Sequence, residues 1–286
     1  MPEGDAIFRA ARALDKALAG RIVTRFESVF PQLTRVDVDT PLRGRTIERV
    51  TSHGKHLLIW FSGDLVLRTH MRMNGSWHIY RPGERWQRPR HDMRIALGTE
   101  TFEAIAFTVP VAEFETASAV ERGLGGLGPD PLKKAFDASE AVRRLRGRGD
   151  MEIAEALLDQ RAIAGVGNIY KSEVLFAGGV NPFAPVAKLP DQALEKLVAL
   201  VVKFMRANVA DGTTAGIVTY GGLRRTTGRA DPSARLWVYG RGGKPCRRCG
   251  TPITRAKQGP YARSTYWCAK CQPARPTTLS RPITSL

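Results

Sequence analysis

The chain has 286 residues, 43% hydrophobic and 25% charged, the balance of a folded globular protein with one large or two modest domains. It opens with no basic segment leading into an apolar core. Its most apolar helical stretch, ALEKLVALVVKFM, is broken by lysines and too short to cross a bilayer, so neither an export signal nor a membrane span is expected, and a cytoplasmic protein is. The formal charge of +17 is concentrated: from Gly212 to Leu286 there are 14 Lys/Arg against one acid, Asp231, a distribution that fits a polyanionic partner better than a merely solvated surface.

In chain order, the first element is an amphipathic helix over GDAIFRAARALDKALAGR. Ile7, Ala11, Leu14 and Leu18 recur at helical spacing, Asp5 is placed to cap the start and Gly20 to end it. Ahead of it stand Pro2 and Glu3. Glu3 suits two roles, charge complementing a helix N-terminus or proton chemistry beside an amine. Strand-like runs follow: RIVTRFESVF, TIERVTSHGKHLLIWF, DLVLRTHMRM, GSWHIYR, HDMRIALG and TFEAIAFTV. Their β-branched content and close turn signals predict a β-sandwich or barrel.

GLGGLGPDPL reads as a linker or long turn, and helices are expected over Ala138–Arg146, Met151–Gln160, Tyr170–Ala177 and Asp191–Ala210. From about Gly212 the chain is rich in Gly, Arg and Thr, then carries all four cysteines. The expected organisation is α+β in two domains. A leading helix and β-sandwich occupy 1–122, a linker 123–135, a helical domain 136–240, a zinc module 241–275 and a tail 276–286.

Cys246-x2-Cys249 and Cys268-x2-Cys271 have 18 residues between the pairs, a spacing that closes four thiolates around one structural Zn²⁺. A segment this small has no core of its own, so metal binding would supply its folding energy. Arg247, Arg248, Arg255, Lys257, Arg263 and Lys270 surround the pairs, a good phosphate or groove probe.

PEGD, HGKHLL, THMRMNG, LLDQRAIAGVGNIYKSEVLFAGGVNP, LWVYGRGGKPCRRCG and ARSTYWCAKCQ, in this order, resemble the formamidopyrimidine-DNA glycosylase / endonuclease VIII family of base-excision repair enzymes. The resemblance spans nearly the whole chain and implies a helix–two-turn–helix DNA-binding domain after the sandwich. It implies a bifunctional DNA glycosylase and abasic-site lyase acting on damaged double-stranded DNA as a monomer, with no small-molecule cofactor. Pro2, freed of Met1, would be the nucleophile and Glu3 the proton carrier. Lys55, which local sequence alone reads as a solvated lysine, would assist near the lesion phosphate. His70 would meet phosphate, and Met73 would fill the gap left by the extruded nucleotide. Asn168, which also suits a helix N-cap, Tyr239 and Arg263 would complete the phosphate clamp.

The chain departs from the formamidopyrimidine branch at two places. No Arg lies between Arg94 and Arg122, where that branch carries an Arg-x-Phe wedge, and TYGGLRRTTGRADPSARLWVYG is short for a loop wrapping an oxidised purine. With PEGD, both lean to the endonuclease VIII branch and its oxidised pyrimidines. Arg72, Met73 and Asn74 are then candidates for the orphan-base side. The alternatives are a family member acting mainly on oxidised purines and a non-catalytic zinc-ribbon nucleic-acid-binding protein.

Overall fold

The computed structural model describes residues 2–210, 224–227 and 232–274 of the chain. Met1, residues 211–223 and 228–231, and the tail from 275 lie outside the described residues, and with them part of the 219–240 loop.

The leading helix α1 (Gly4–Leu18) forms where expected and buries Ile7, Ala10, Ala11, Leu14 and Leu18. Asp5 is not its cap. The N-cap position is Glu3, which makes no side-chain bond to its own helix. Asp5 is wholly buried and paired with Arg224 at 2.8 Å, because the first turn is packed against the second half of the molecule and not against water.

Eight antiparallel strands follow: β1 (Val23–Ser28), β2 (Ile47–His53), β3 (His56–Phe61), β4 (Leu65–His70), β5 (Ser76–Tyr80), β6 (Met93–Thr99), β7 (Glu103–Phe107) and β8 (Val111–Glu115). They form two four-stranded sheets, ordered β1-β6-β7-β5 and β2-β3-β4-β8. Alternate residues from each sheet meet in one core with α1: Leu57, Ile59, Phe61 and Leu67 face Trp77, Ile95, Leu97 and Ala106. The long run TIERVTSHGKHLLIWF is two strands joined by the turn at Gly54 and Lys55. Gly54 has φ +56°, and a Cβ there would lie 3.0 Å from that of Ala164, so the turn is pressed against the second domain.

Three elements, two helices and a strand, were not expected. PQLTRVDVD forms helix α2 (Pro31–Asp39); its Pro stands at the helix start, where the missing N–H costs nothing. VAEFE forms β8 at the sheet edge, separated from β7 by Pro110. Helix α3 (Ala117–Gly125), capped by Thr116 Oγ1 accepting from the Ala119 N–H, takes the first residues of the expected linker.

Helices α4 (Ala138–Arg146) and α7 (Asp191–Ala210) match the sequence expectation, and α6 (Asn168–Gly178) starts two residues early. The Met151–Gln160 stretch is only one helical turn, α5 (Ile153–Ala156), followed by turns. Leu145, Ile153, Leu157, Tyr170, Val174, Leu194, Leu197 and Val201 form the second core. A hairpin, β9 (Thr254–Gln258) and β10 (Arg263–Trp267), is the last pair of strands among the described residues, and β10 packs on α6. No helix among the described residues is long and apolar enough to cross a membrane.

Candidate active site

The residue after Pro2 decides the geometry. Glu3 is completely buried, although a carboxylate is rarely buried without partners. Its partners are main-chain donors of another domain. The N–H groups of Gly167 and Tyr170 donate to Oε2 at 3.2 and 3.3 Å, and that of Ile169 to Oε1 at 2.8 Å. These are orphan donors at the start of α6, where backbone dipoles favour an anion. Gly167 is obligatory there: a Cβ would lie 2.4 Å from Glu3 Cδ. The Gly4 N–H donates to Gly165 O at 2.9 Å, closing the seam on its other side. Pro2, half-buried, is thereby held at the junction of the two halves.

Lys55 reaches the same seam. From the β2–β3 turn, its Nζ donates to Val166 O at 2.7 Å, two residues before Asn168. Burial lowers its pKa to about 8; Glu3 opposes the shift, while Arg263 and Arg224 add to it. The turn is fixed by the buried Asp130, whose Oδ2 accepts the Gly54 N–H at 2.9 Å. Lys55 is therefore a positioned amine and not the solvated lysine of the local sequence.

Asn168 is buried and is the first residue of α6, not its cap; the cap is Gly167. Its Nδ2 donates to Ser264 O at 2.8 Å on β10. The helix start is already filled by the Glu3 carboxylate, so these N–H groups are not open to phosphate. Arg263 is exposed at the beginning of β10, and Tyr239 lies edge-on to Tyr266 at 5.1 Å. The Tyr239 segment is anchored by Glu173, fully buried on α6. Its carboxylate accepts the N–H groups of Trp237, Val238 and Tyr239 at 2.7, 2.9 and 2.8 Å, and the Thr226 hydroxyl. Burial pushes this carboxyl up, against the pull of the four donors.

On the sandwich, His70 ends β4 and its Nδ1 accepts the Arg72 N–H at 3.1 Å. Burial and Arg72 hold its imidazole down at about 4, so it is neutral at pH 7. His56 lies edge-on to it at 5.1 Å and is held down at about 3 by burial and His70. Met73 is 56% exposed, between Arg72 and Asn74, both exposed. Arg72 has φ +49°, so the β4–β5 turn is a tight projection. An unbranched apolar side chain left in water at the tip of such a turn suits insertion into a base stack.

Cys246, Cys249, Cys268 and Cys271 bring their sulfurs within 4.8 Å of one another. Neighbouring sulfurs are 3.4–3.9 Å apart, close to the ~3.8 Å that a tetrahedral Zn²⁺ with ~2.3 Å bonds requires. The four thiols fit the metal and would fill all four tetrahedral positions, the donor set of a structural site.

Sequence reasoning missed Asp5–Arg224, Glu173 and Lys171. Charge signs alone could have flagged Asp5 and Glu173, acids on otherwise apolar helix faces; nothing local marks Arg224 among so many arginines.

Three family models match in order: the formamidopyrimidine-DNA glycosylase N-terminal domain over residues 1–110, its H2TH domain over 127–219 and the zinc finger found in FPG and IleRS over 243–274. The chain is 42% identical to the probable endonuclease 8 2 of Streptomyces coelicolor over 95% of this chain and 94% of that one. It is 37% identical to the DNA-(apurinic or apyrimidinic site) lyase Nei2 of Mycolicibacterium smegmatis over 96% and 100%. The fold is that of the Lactococcus lactis formamidopyrimidine-DNA glycosylase solved with abasic-site DNA, at a TM-score of 0.80, 24% identity and 95% and 100% coverage. With one chain carrying all three modules in order and relatives this close along its length, the protein belongs to the formamidopyrimidine-DNA glycosylase / endonuclease VIII family.

Proposed function

We propose that this chain is a bifunctional DNA glycosylase and abasic-site lyase of base excision repair, acting as a cytoplasmic monomer on damaged double-stranded DNA. The observation that carries it is the buried Glu3 carboxylate, fixed by three N–H groups of α6 directly beside Pro2.

With Met1 removed, the Pro2 nitrogen attacks C1′ of the damaged nucleotide, and the C1′–N bond to the base breaks; the base leaves with the bonding pair and takes a proton from water. The amine gives its own proton to Glu3, which passes it to O4′ as the sugar ring opens. The product is an iminium between Pro2 and C1′. Formed from a secondary amine, it has no N–H proton to lose, so it remains an electron sink. Loss of a C2′ proton then expels the 3′ phosphate, and a second elimination expels the 5′ phosphate. Water releases Pro2. Lys55, its pKa lowered to about 8 and so roughly 10% neutral at pH 7, would carry protons or steady the lesion phosphate.

His70, Asn168, Tyr239 and Arg263 would hold the kinked backbone, and Met73 would replace the extruded base, offsetting an unstacking cost of a few kcal/mol. The four cysteines would hold one structural Zn²⁺ that fixes the hairpin carrying Arg263. Oxidised pyrimidines are the preferred lesions. The β7–β8 turn offers only Thr108, Val109 and Pro110, leaving Arg72, Met73 and Asn74 to face the orphan base.

Borohydride trapping on duplex DNA with an abasic site or thymine glycol tests the proposal. A covalent adduct must form with processed protein and vanish for Pro2→Gly or when a tag blocks the terminus. An unmodified Pro2 in active protein overturns it. Faster excision of 8-oxoguanine than of thymine glycol would overturn the lesion preference alone.

A further inference from the structure

Lys171 is buried to 1% exposure in the middle of the first turns of α6, and nothing in the chemistry above uses it. Its Nζ crosses to the zinc hairpin, donating to Thr265 Oγ1 at 2.8 Å and to Ser264 O at 3.2 Å. Ser264 O also accepts from Asn168 Nδ2. The Thr265 hydroxyl in turn donates to Gln258 Oε1 at 2.6 Å. Gln258 Nε2 then reaches Glu152 Oε2 at 2.6 Å and Pro182 O at 3.1 Å. The inner face of the hairpin is thus bolted to α6 and to the chain on either side of it, at Glu152 and Pro182, by one continuous polar chain in which Lys171 is the cation.

A buried ammonium costs several kcal/mol unless opposed. The opposing charges are Glu3 and Glu155, with Arg263 acting against them, and burial lowers the pKa to about 8. Lys171 therefore stands between the two groups that must meet the lesion together: the carboxylate held at the start of its own helix, and the arginine one residue before the carbonyl it binds. An apolar side chain would satisfy neither the Thr265 hydroxyl nor the field of Glu3.

We propose that Lys171 is a positioning residue for strand scission. It sets the register between the Glu3-bearing helix start and the Arg263-bearing strand, so that the phosphate grip and the proton carrier arrive at one nucleotide in fixed geometry. The proposal rests on the glycosylase/lyase function above.

The test is a double-mutant cycle on single-turnover cleavage of abasic duplex DNA at saturating enzyme, with Lys171→Met, Arg263→Ala and the pair. Lys171→Met in the native background should slow cleavage about tenfold, the scale of a lost charged hydrogen bond. In the Arg263→Ala background it should cost less than about twofold, because the register it maintains no longer has a strand-side partner. Equal losses in both backgrounds mean a generally loosened fold and overturn the proposal, as does an unchanged rate. Zinc content and melting temperature verify folding. If Lys171→Met fails to hold zinc, Thr265→Val, which removes only the hydroxyl that receives the ammonium, replaces it with the same expectations. Wild-type protein that traps no adduct would instead remove the underlying function, so the two failures are distinct.

Discussion

The Glu3 seam and the zinc hairpin both end on α6, yet they are held by opposite means. At the seam, a carboxylate is gripped by main-chain N–H groups whose positions the helix itself dictates, and Gly167 lets it approach. At the hairpin, a small cluster of Val238, Ile253 and two cysteines borrows Phe176 from α6, and the four sulfurs supply what the core lacks. The seam should therefore lose its chemistry before its fold, and the hairpin its fold before the rest of the molecule notices.

The largest effect expected is for Glu3→Gln. It keeps the shape but aims an amide donor at N–H donors and removes the proton carrier. Single-turnover cleavage should fall by ~10² or more, while urea unfolding loses only about 1–3 kcal/mol. A variant that cleaves within a few-fold of wild type would break the contrast at its centre. Gly167→Ala sharpens it from the other side. Its methyl displaces Glu3, so about 1–3 kcal/mol of stability and most cleavage should go together, read by the same two assays.

Cys249→Ser tests the hairpin. Affinity for abasic duplex should drop about tenfold or more, as Arg263 is no longer held, with the near-ultraviolet signature of the sandwich retained. If the affinity is unchanged, the hairpin does not need its metal.

The smaller effects concern pH. His56, His70 and His78 are held down at about 3, 4 and 4, in each case chiefly by burial. Unfolded, each takes its proton near 6.5, so the unfolded state binds more protons between these values. Stability is complete above about pH 6.5 and falls as pH drops towards 4, by about 3 kcal/mol in all after allowing for partial exposure. Lys55 and Lys171 carry the same sign in a higher window: with folded values near 8 against 10.5, the unfolded state again binds more protons, and unfolding free energy should rise as pH goes from 8 towards 10.5. Lys171→Met should flatten part of that rise. Urea titrations across both windows read these slopes, and a flat acid limb would mean that the histidines are more solvated than their packing indicates.

The sequence announced the elements best where one signal dominated. Helices α4 and α7 fall where the sequence pattern put them, and the cysteine spacing named its own cluster. It was silent where tertiary context overrode local preference. VDVD in α2 carries β-branched residues yet is helical, and the apolar Ile153–Leu157 stretch forms only one turn because the chain must bend towards Gly165. The catalytic candidates Pro2, Glu3 and Lys55 were legible as residues, but Lys171 and Arg224 were not, since each gains meaning only from a partner 94 or 219 positions away.

By itself the sequence determined the two cores, the thiol cluster and the basic end, because hydrophobic period, cysteine spacing and charge are local properties of the chain. The tertiary structure alone decided which anion the α6 start binds, that Asp5 faces Arg224 and not solvent, and which lysines are buried. These depend on desolvation and on orphan N–H donors brought together across domains, energies that do not exist until the two halves meet.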